Sequence, residues 1–272
     1  LVGIGVWASR LNKDGADFYL GGRQLGPWVA AISSSASSSS AWTMLGLSGV
    51  AFKFGLSFVW LVPACISGFI LNWLVVARRM RNISAKQNSL TLTEFLADTA
   101  EGGMRRTIII SASMIVLVSF GIYVASQFQG AGKTFENALG LEPTMAILVG
   151  AAVVFIYTVT GGFWAVSISD LIQGLMMAVA AIVVPTVALI AVYSDGGSLF
   201  EGLSQQDPKY LSLTGGRSGG SAILYVVGLC AIGLAATGQP HVVTRFMALR
   251  SDKDVKMGAA ISITWSIIVF CG

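Results

Sequence analysis

Charged residues are scarce in this chain. Of its 272 residues 11% are charged and 54% are hydrophobic, and the mean hydropathy is +0.75. A soluble domain has about a quarter charged residues, so this sequence has too few to cover a water-facing surface. Apolar stretches of about 20 residues recur along it, which is the length needed to cross a bilayer. The composition predicts an all-α protein embedded in a lipid bilayer, and the net charge of +4 does not indicate a nucleic-acid partner.

Groups that would support enzymatic or metal chemistry are equally scarce. The chain has one histidine and three cysteines, and Cys65, Cys230 and Cys271 all lie in apolar stretches without the spacing of a disulfide framework or a transition-metal site. The sequence shows neither a nucleophile–base pair nor a phosphate-binding loop that would indicate an enzyme, and no motif in it calls for an organic cofactor. We interpret the one histidine, His241, as a structural residue at a helix end.

The apolar stretches predict a series of membrane-spanning helices. We expect the tail of one helix at 1–9 and the opening of another at 257–272. Between them we expect six full spans, at 27–49, 57–77, 107–130, 143–160, 164–193 and 221–238. Because the chain lacks an initial methionine and both ends fall in apolar runs, we expect a fragment of a longer protein.

The basic residues predict the orientation. The loops at 10–26, 78–106 and 239–256 contain 13 of the 17 Lys and Arg residues, and the alternating spans place all three loops on one side. Cytoplasmic loops carry an excess of Lys and Arg, so we expect these loops in the cytoplasm and the 194–220 loop outside.

A serine run interrupts the first full span. Residues 33–40 read SSSASSSS between apolar flanks. One interpretation is close helix packing, with hydroxyls bonded back to helix carbonyls. In a second interpretation the helix unwinds between about Ser35 and Ser40 and lines a cavity, where carbonyl and hydroxyl oxygens can bind Na⁺. We prefer this interpretation because the serines lie on all sides of the helix, whereas packing needs them on one face only.

A second interruption is predicted near Pro240. The span at 221–238 is Gly-rich and precedes the sequence Gly-Gln-Pro-His, which either interrupts the helix or simply ends it. This span lies five spans after the serine run and runs in the opposite direction. Two interrupted helices of opposite direction are typical of inverted-repeat transporters.

Asp170 is an acidic residue within an apolar run. A charge inside the membrane is costly and should face a partner or an ion path, although Asp170 is also close enough to the cytoplasmic side to reach the interface. Ser167, Ser169 and Gln173 are polar neighbours that could form a cation path with it.

Four segments together resemble the sodium/solute symporter family, and most closely its proline-transporting members. They are residues 17–27 (DFYLGGRQLGP), 33–42 (SSSASSSSAW), 161–173 (GGFWAVSISDLIQ) and 238–246 (GQPHVVTRF). The resemblance implies a LeuT-like inverted-repeat fold, here incomplete. It divides the chain into an N-terminal helix end and cytoplasmic loop, a first five-helix repeat, an external loop and the beginning of a second repeat: 1–26, 27–193, 194–220 and 221–272.

The resemblance also implies roles for particular residues. Sodium-binding positions of the family match Ala36 and Ser39 through their carbonyls, and a family aspartate is replaced by Ser38. An aspartate at the position of Asp170 is linked to Na⁺ passage. The implied substrate-binding positions are Ser40, Ala41, Tyr123, Ile232 and Ala236. The last two, Ile232 and Ala236, stand where the proline carriers have aromatic residues.

The leading functional hypothesis is Na⁺-coupled secondary active symport of a small organic solute, an amino acid or organic acid, by alternating access in the plasma membrane. Na⁺ would be the co-transported ion. The alternative is a symporter-like membrane sensor domain of a histidine kinase, and a third is a uniporter or channel. The sequence leaves the solute and the oligomeric state open.

Overall fold

The computed structural model describes residues 1–194 and 196–272, apart from the side chains of Met44, Gln206 and Pro208, and is almost entirely helical. The α-helices in this part of the chain are α1 (Val2–Ser9), α2 (Gly15–Leu20), α3 (Pro27–Ser38), α4 (Leu47–Phe54), α5 (Leu61–Leu71), α6 (Arg78–Gln87), α7 (Leu92–Ala97), α8 (Gly102–Leu139), α9 (Pro143–Ser194), α10 (Leu199–Gln206), α11 (Gly219–Ile232), α12 (Pro240–Met247) and α13 (Asp252–Cys271).

Several α-helices are joined by shorter helical turns. Wide π-helical turns precede α4 and follow α5, at Trp42–Gly46 and Asn72–Ala77. Tighter 3₁₀ turns occupy Gly21–Arg23, Gly55–Trp60, Pro208–Leu211 and Gly233–Gly238. The loop predicted at 78–106 therefore contains α6 and α7, and the loop predicted at 194–220 contains α10.

The apolar spans read from the sequence coincide with helices. Within the described residues, five continuous helical stretches are long and apolar enough to cross a membrane: Leu47–Gln87, Gly102–Leu139, Pro143–Ser194, Gly219–Gly238 and Asp252–Cys271. The two spans predicted within 143–193 are separated by a sharp bend at Gly162, where φ is +57° and ψ is −148°. A side chain there would meet Phe18, since a Cβ would lie 2.7 Å from its Cδ2 atom. The bend therefore requires glycine.

The three basic loops meet at one end of the molecule. The Arg23 guanidinium donates to the hydroxyl and carbonyl of Ser84 and to the carbonyls of Ser89 and Met247, at 2.7–3.0 Å. Leu25 pairs with Leu249 in an isolated bridge. These contacts join residues from all three loops, as the alternation of spans predicts. Burial and the positive charge of Arg81 lower the pKa of Arg23.

The opposite end is formed by the 194–220 segment and the turn after α4. The Trp60 indole N–H donates to the Leu213 carbonyl at 2.9 Å, and the Ser57 hydroxyl lies 3.1 Å from that of Tyr225. The 194–220 segment therefore lies at the end away from the basic loops.

Labelling of introduced cysteines will test which end faces outside. In a variant whose three native cysteines are replaced, Ser204→Cys should react with a membrane-impermeant maleimide on intact cells, and Lys86→Cys should react only after permeabilisation. Both native side chains are exposed, so a lack of reaction reflects the membrane barrier rather than burial. The reverse pattern would contradict the orientation.

Candidate ion and substrate site

The serine run is interrupted where the composition predicts. Helix α3 ends at Ser38, and Ser39 is extended, with φ −86° and ψ +133°. Helical structure resumes at Ala41 and passes through the π-helical turn into α4. The predicted break between about Ser35 and Ser40 is confirmed, and it falls at the end of that range.

The amide groups after the break are satisfied by nearby oxygens. Ser39 donates to the Ala36 carbonyl, and Ser40 donates to the Thr43 hydroxyl. The N–H of Ala41 has a partner from another helix, the Gln127 side-chain oxygen of α8, at 2.6 Å. The α8 helix therefore stabilises the interruption directly.

Carbonyl groups at the end of α3 are satisfied in a similar way. The Ser35 carbonyl accepts the hydroxyl groups of Ser38 and Ser39. The Ser37 carbonyl lies 2.9 Å from Nε2 of His241, at the start of α12. His241 therefore lies at a helix end, as the sequence indicates, and its structural role stays a prediction.

The first half of the serine run is a packing surface. Ser33, Ser34 and Ser35 are at most 1% exposed. The hydroxyls of Ser34 and Ser35 both donate to the Ala31 carbonyl, and Ser35 also bonds to Ser262 of α13 at 2.7 Å. The packing interpretation therefore holds for residues 33–35, the break falls in the second half of the run, and Na⁺ binding there stays a prediction.

The second interrupted helix lies against the first. Helix α11 ends at Ile232, a 3₁₀ turn follows, and α12 begins at Pro240 after an extended Gln239. The start of α3 adjoins the end of α12, because the Leu25 N–H donates to the Ala248 carbonyl at 3.1 Å. The two helices therefore run in opposite directions, as predicted.

Close backbone contact fixes this second interruption. A Cβ on Gly68 of α5 would lie 2.3 Å from the Gly233 carbonyl oxygen, so only glycine fits there. The Asn72 side chain then donates to the Ala236 carbonyl at 2.9 Å. The turn before α12 is thus held by α5 and the π-helical turn that follows it.

Asp170 lies in an ion pair with Arg245 of α12. Its Oδ2 atom lies 2.5 Å from Nη2 of Arg245 and accepts the hydroxyls of Ser33 and Ser37, both at 2.9 Å. The Asp170 side chain is 16% exposed and that of Arg245 is 5% exposed. Arg245 also donates to the Ser33 hydroxyl and the His241 carbonyl. Asp170 thus faces the interior of the bundle and joins α9, α3 and α12.

A cavity of about 700 Å³ adjoins this network and the α3 interruption. Five residues that the sequence analysis assigned to the sodium, substrate or ion-path sets line it together: Ala36, Ser39, Tyr123, Asp170 and Gln173. His241 also lines it, with its ring 5.9 Å from that of Tyr123. These residues come from α3, α8, α9 and α12.

The other predicted positions lie elsewhere. Ser38 and Ala236 face a cavity of about 10 Å³, beside the Asn72 side chain. Ile232 is 42% exposed and, like Ser40 and Ala41, is absent from the lining of the 700 Å³ cavity. The Ser40 hydroxyl accepts the N–H of Trp42.

Two members of the predicted ion path do not line the large cavity either. Ser167 and Ser169 are fully buried, and their hydroxyl oxygens have no hydrogen-bond partner among the described residues. Of the four predicted path residues, the cavity brings together Asp170 and Gln173 only.

Sequence reasoning missed two residues of the site. Arg245 was counted as a charge of the 239–256 loop, which is incorrect because it is 4% exposed within α12. Gln127 was not singled out, although a polar side chain within the apolar span at 107–130 is a recognisable signal. Each residue has a partner that is distant in sequence: Arg245 pairs with Asp170, and Gln127 pairs with Ala41.

Comparison with known proteins settles the family. A model of the sodium:solute symporter family matches residues 18–272. The chain belongs to this family. The chain is similar to the high-affinity proline transporter PutP of Bacillus subtilis (strain 168), which is 36% identical over 99% of this chain and 56% of its own length. The sodium/proline symporter of Escherichia coli (strain K12) is 36% identical over 100% of this chain and 53% of its own length.

A solved structure confirms the predicted LeuT-like architecture. The fold of this chain resembles that of a Na⁺-coupled sialic acid symporter in a substrate-bound outward-open state, with a TM-score of 0.75 at 19% sequence identity. The match covers 99% of this chain and 56% of the other. The chain thus spans about half the length of the relatives that it matches.

The Gln127 contact predicts a specific loss of stability. Gln127→Leu in the full-length protein removes the acceptor for the Ala41 N–H and should cost about 1 kcal/mol, seen as a midpoint of thermal unfolding lower by a few degrees. Gln129→Leu is the matched control, because Gln129 lies two residues away and is exposed. Equal midpoints for the two variants would show that the contact does not stabilise the interruption.

Proposed function

We propose that the protein containing this chain transports a small organic solute together with Na⁺ by alternating access in the plasma membrane, with the basic loops in the cytoplasm. The observation that carries the proposal is the interruption of α3 at Ser39, next to a cavity that is also lined by the partly buried carboxylate of Asp170. Interrupted helices beside a cavity bind ions and substrates in transporters of this type. The relatives named above are described as proline transporters, which supports the same class of activity.

The α3 interruption has the chemistry that Na⁺ requires. Helix α3 ends there, so its terminal carbonyls and the negative end of its dipole point toward the break. Ala36 and Ser39 border the cavity, and we propose their carbonyls as Na⁺ ligands. Ser38 would contribute through its hydroxyl only after giving up its bond to the Ser35 carbonyl, because it now faces the small cavity.

The solute site is proposed beside the same break. Tyr123 borders the large cavity, and Ser40 and Ala41 follow the break directly in sequence. Ile232 and Ala236 would join it from the other interrupted helix, although neither borders that cavity. Because these two side chains are smaller than the aromatic residues expected in proline carriers, we propose a roomier pocket for an amino acid or organic acid.

Alternating access follows from the pairing of the two interrupted helices. Helices α3 and α12 run antiparallel and share the bonds between Ser37 and His241 and between Ser33 and Arg245. Movement of this pair relative to α8 and α9 would open the cavity toward one side of the membrane at a time. The sensor alternative has no support from the comparisons, since the relatives are named as transporters.

Uptake in liposomes tests the proposal. The full-length protein should accumulate labelled proline, or another solute found by counterflow, when an inward Na⁺ gradient is imposed. Choline in place of Na⁺ should abolish accumulation, because the gradient supplies the driving force. Solute movement that is independent of Na⁺ would indicate a uniporter and contradict the proposal.

A double substitution tests the solute pocket. Ile232→Trp with Ala236→Tyr restores the aromatic pair and should narrow the pocket. Selectivity should shift toward proline by about tenfold over a larger solute, the low end of the effect of one methylene-sized contact. Ile223→Trp, at another exposed position of α11, is the control. Unchanged selectivity in a folded double variant would place the pocket elsewhere.

A further inference from the structure

The bonds of Asp170 are distributed unevenly between its two oxygens. All the donors that reach it from the described residues, Ser33, Ser37 and Arg245, bind Oδ2. Asp170 also lines the large cavity. The carboxylate is therefore already held by a protein cation, on one oxygen, beside the space that an incoming ion would enter.

We infer that Arg245 is a built-in competitor of Na⁺: it neutralises Asp170 when the ion is absent, and Na⁺ must displace it from the carboxylate. This inference rests on the proposed Na⁺-coupled function and specifies a further step in it. Arg245 acts here as a positioning residue, since its role is to hold Asp170, next to which it lines the same cavity.

Burial makes the competition strong. The carboxylate is 16% exposed among apolar helices, and a charge in such surroundings is stabilised by a cation or by several donors. Two cations at the same carboxylate would repel each other at short range in a medium of low dielectric constant. Either Arg245 or Na⁺ can therefore bind Asp170 fully, and the arrival of one weakens the other.

Arg245 has partners to keep when it leaves Asp170. It donates to the Ser33 hydroxyl at 2.6 Å and to the His241 carbonyl, and its guanidinium lies 5.9 Å from the centre of the Phe163 ring. A guanidinium satisfied by a carbonyl, a hydroxyl and an aromatic face is not left unpaired in the interior. Displacement therefore changes one contact of Arg245 and leaves the others.

The exchange would also loosen the joint between helices. Asp170 belongs to α9, Arg245 to α12 and Ser33 and Ser37 to α3. With Arg245 bound, the carboxylate ties all three helices together. With Na⁺ bound, the tie between α9 and α12 is weakened, which connects ion binding to the movement of α12.

The half-saturating Na⁺ concentration for uptake by the full-length protein tests this competition. Arg245→Gln should lower it by about tenfold, the low end of the effect of one neighbouring charge on a carboxylate. Arg245→Lys, a charged but less well-bonded cation, should lower it by less. Asp170→Asn should raise it or abolish Na⁺ dependence, and adding Arg245→Gln to that variant should change it little.

A merely structural role for Arg245 would give a different result. Loss of packing would reduce the rate in every Arg245 variant without lowering the Na⁺ requirement. A half-saturating concentration that is unchanged or higher in Arg245→Gln would overturn the inference. If that variant does not insert, Arg245→Lys decides in the same way.

Two controls separate the possible failures. Arg250→Gln breaks the ion pair between the exposed Arg250 and the buried Asp254. Because this pair shares no partner with Asp170 or Arg245, the Na⁺ requirement should stay within about twofold of the wild type. If the unmodified protein itself shows no Na⁺ dependence, the proposed function fails. If it does show Na⁺ dependence and Arg245→Gln has no effect on the Na⁺ requirement, only the competition by Arg245 is wrong.

Discussion

The structure depends on satisfying main-chain groups where α3 is interrupted inside an apolar bundle. In apolar surroundings an unpaired amide or carbonyl is costly, so each such group at the interruption needs a partner. The chain meets this cost with side chains from other helices, Gln127 from α8 and His241 from α12. The interruption is therefore a joint held by two neighbouring helices, and any movement of α3 must exchange these bonds.

Small residues make the second joint possible. Gly68 and Gly233 allow α5 to contact the backbone of the turn before α12, at a distance that no Cβ would permit. That contact brings Asn72 to the Ala236 carbonyl. Packing of small residues is the main attraction between helices in lipid, where burial of apolar side chains contributes little. The second interruption therefore begins at Gly233, where the backbone of α11 meets that of α5 at Gly68.

Local composition explains what the sequence could predict, and tertiary contacts explain what it could not. The serine run predicts one interruption because it lacks bulky side chains. Pro240 predicts the other because proline has no N–H to donate to the preceding turn. Arg245 reads as a loop charge from hydropathy, since its partner Asp170 is 75 residues away. Likewise, helical spacing groups Ser167 with Asp170 but does not indicate which side of α9 the cavity occupies.

Charge balance links the buried pair to the nature of the solute. Asp170 and Arg245 together are neutral, so the interior carries no net charge from them while they are paired. Under the proposed function, Na⁺ adds one positive charge to the site. A zwitterionic amino acid leaves the net charge of the loaded site at +1, whereas a monocarboxylate cancels the charge of Na⁺ and makes the loaded site neutral. A singly positive loaded site is drawn inward by the membrane potential, by about 2.3 kcal/mol per 100 mV, whereas a neutral one gains nothing. An amino acid would therefore use both the Na⁺ gradient and the potential, and Arg245 would return neutrality to the empty site afterwards.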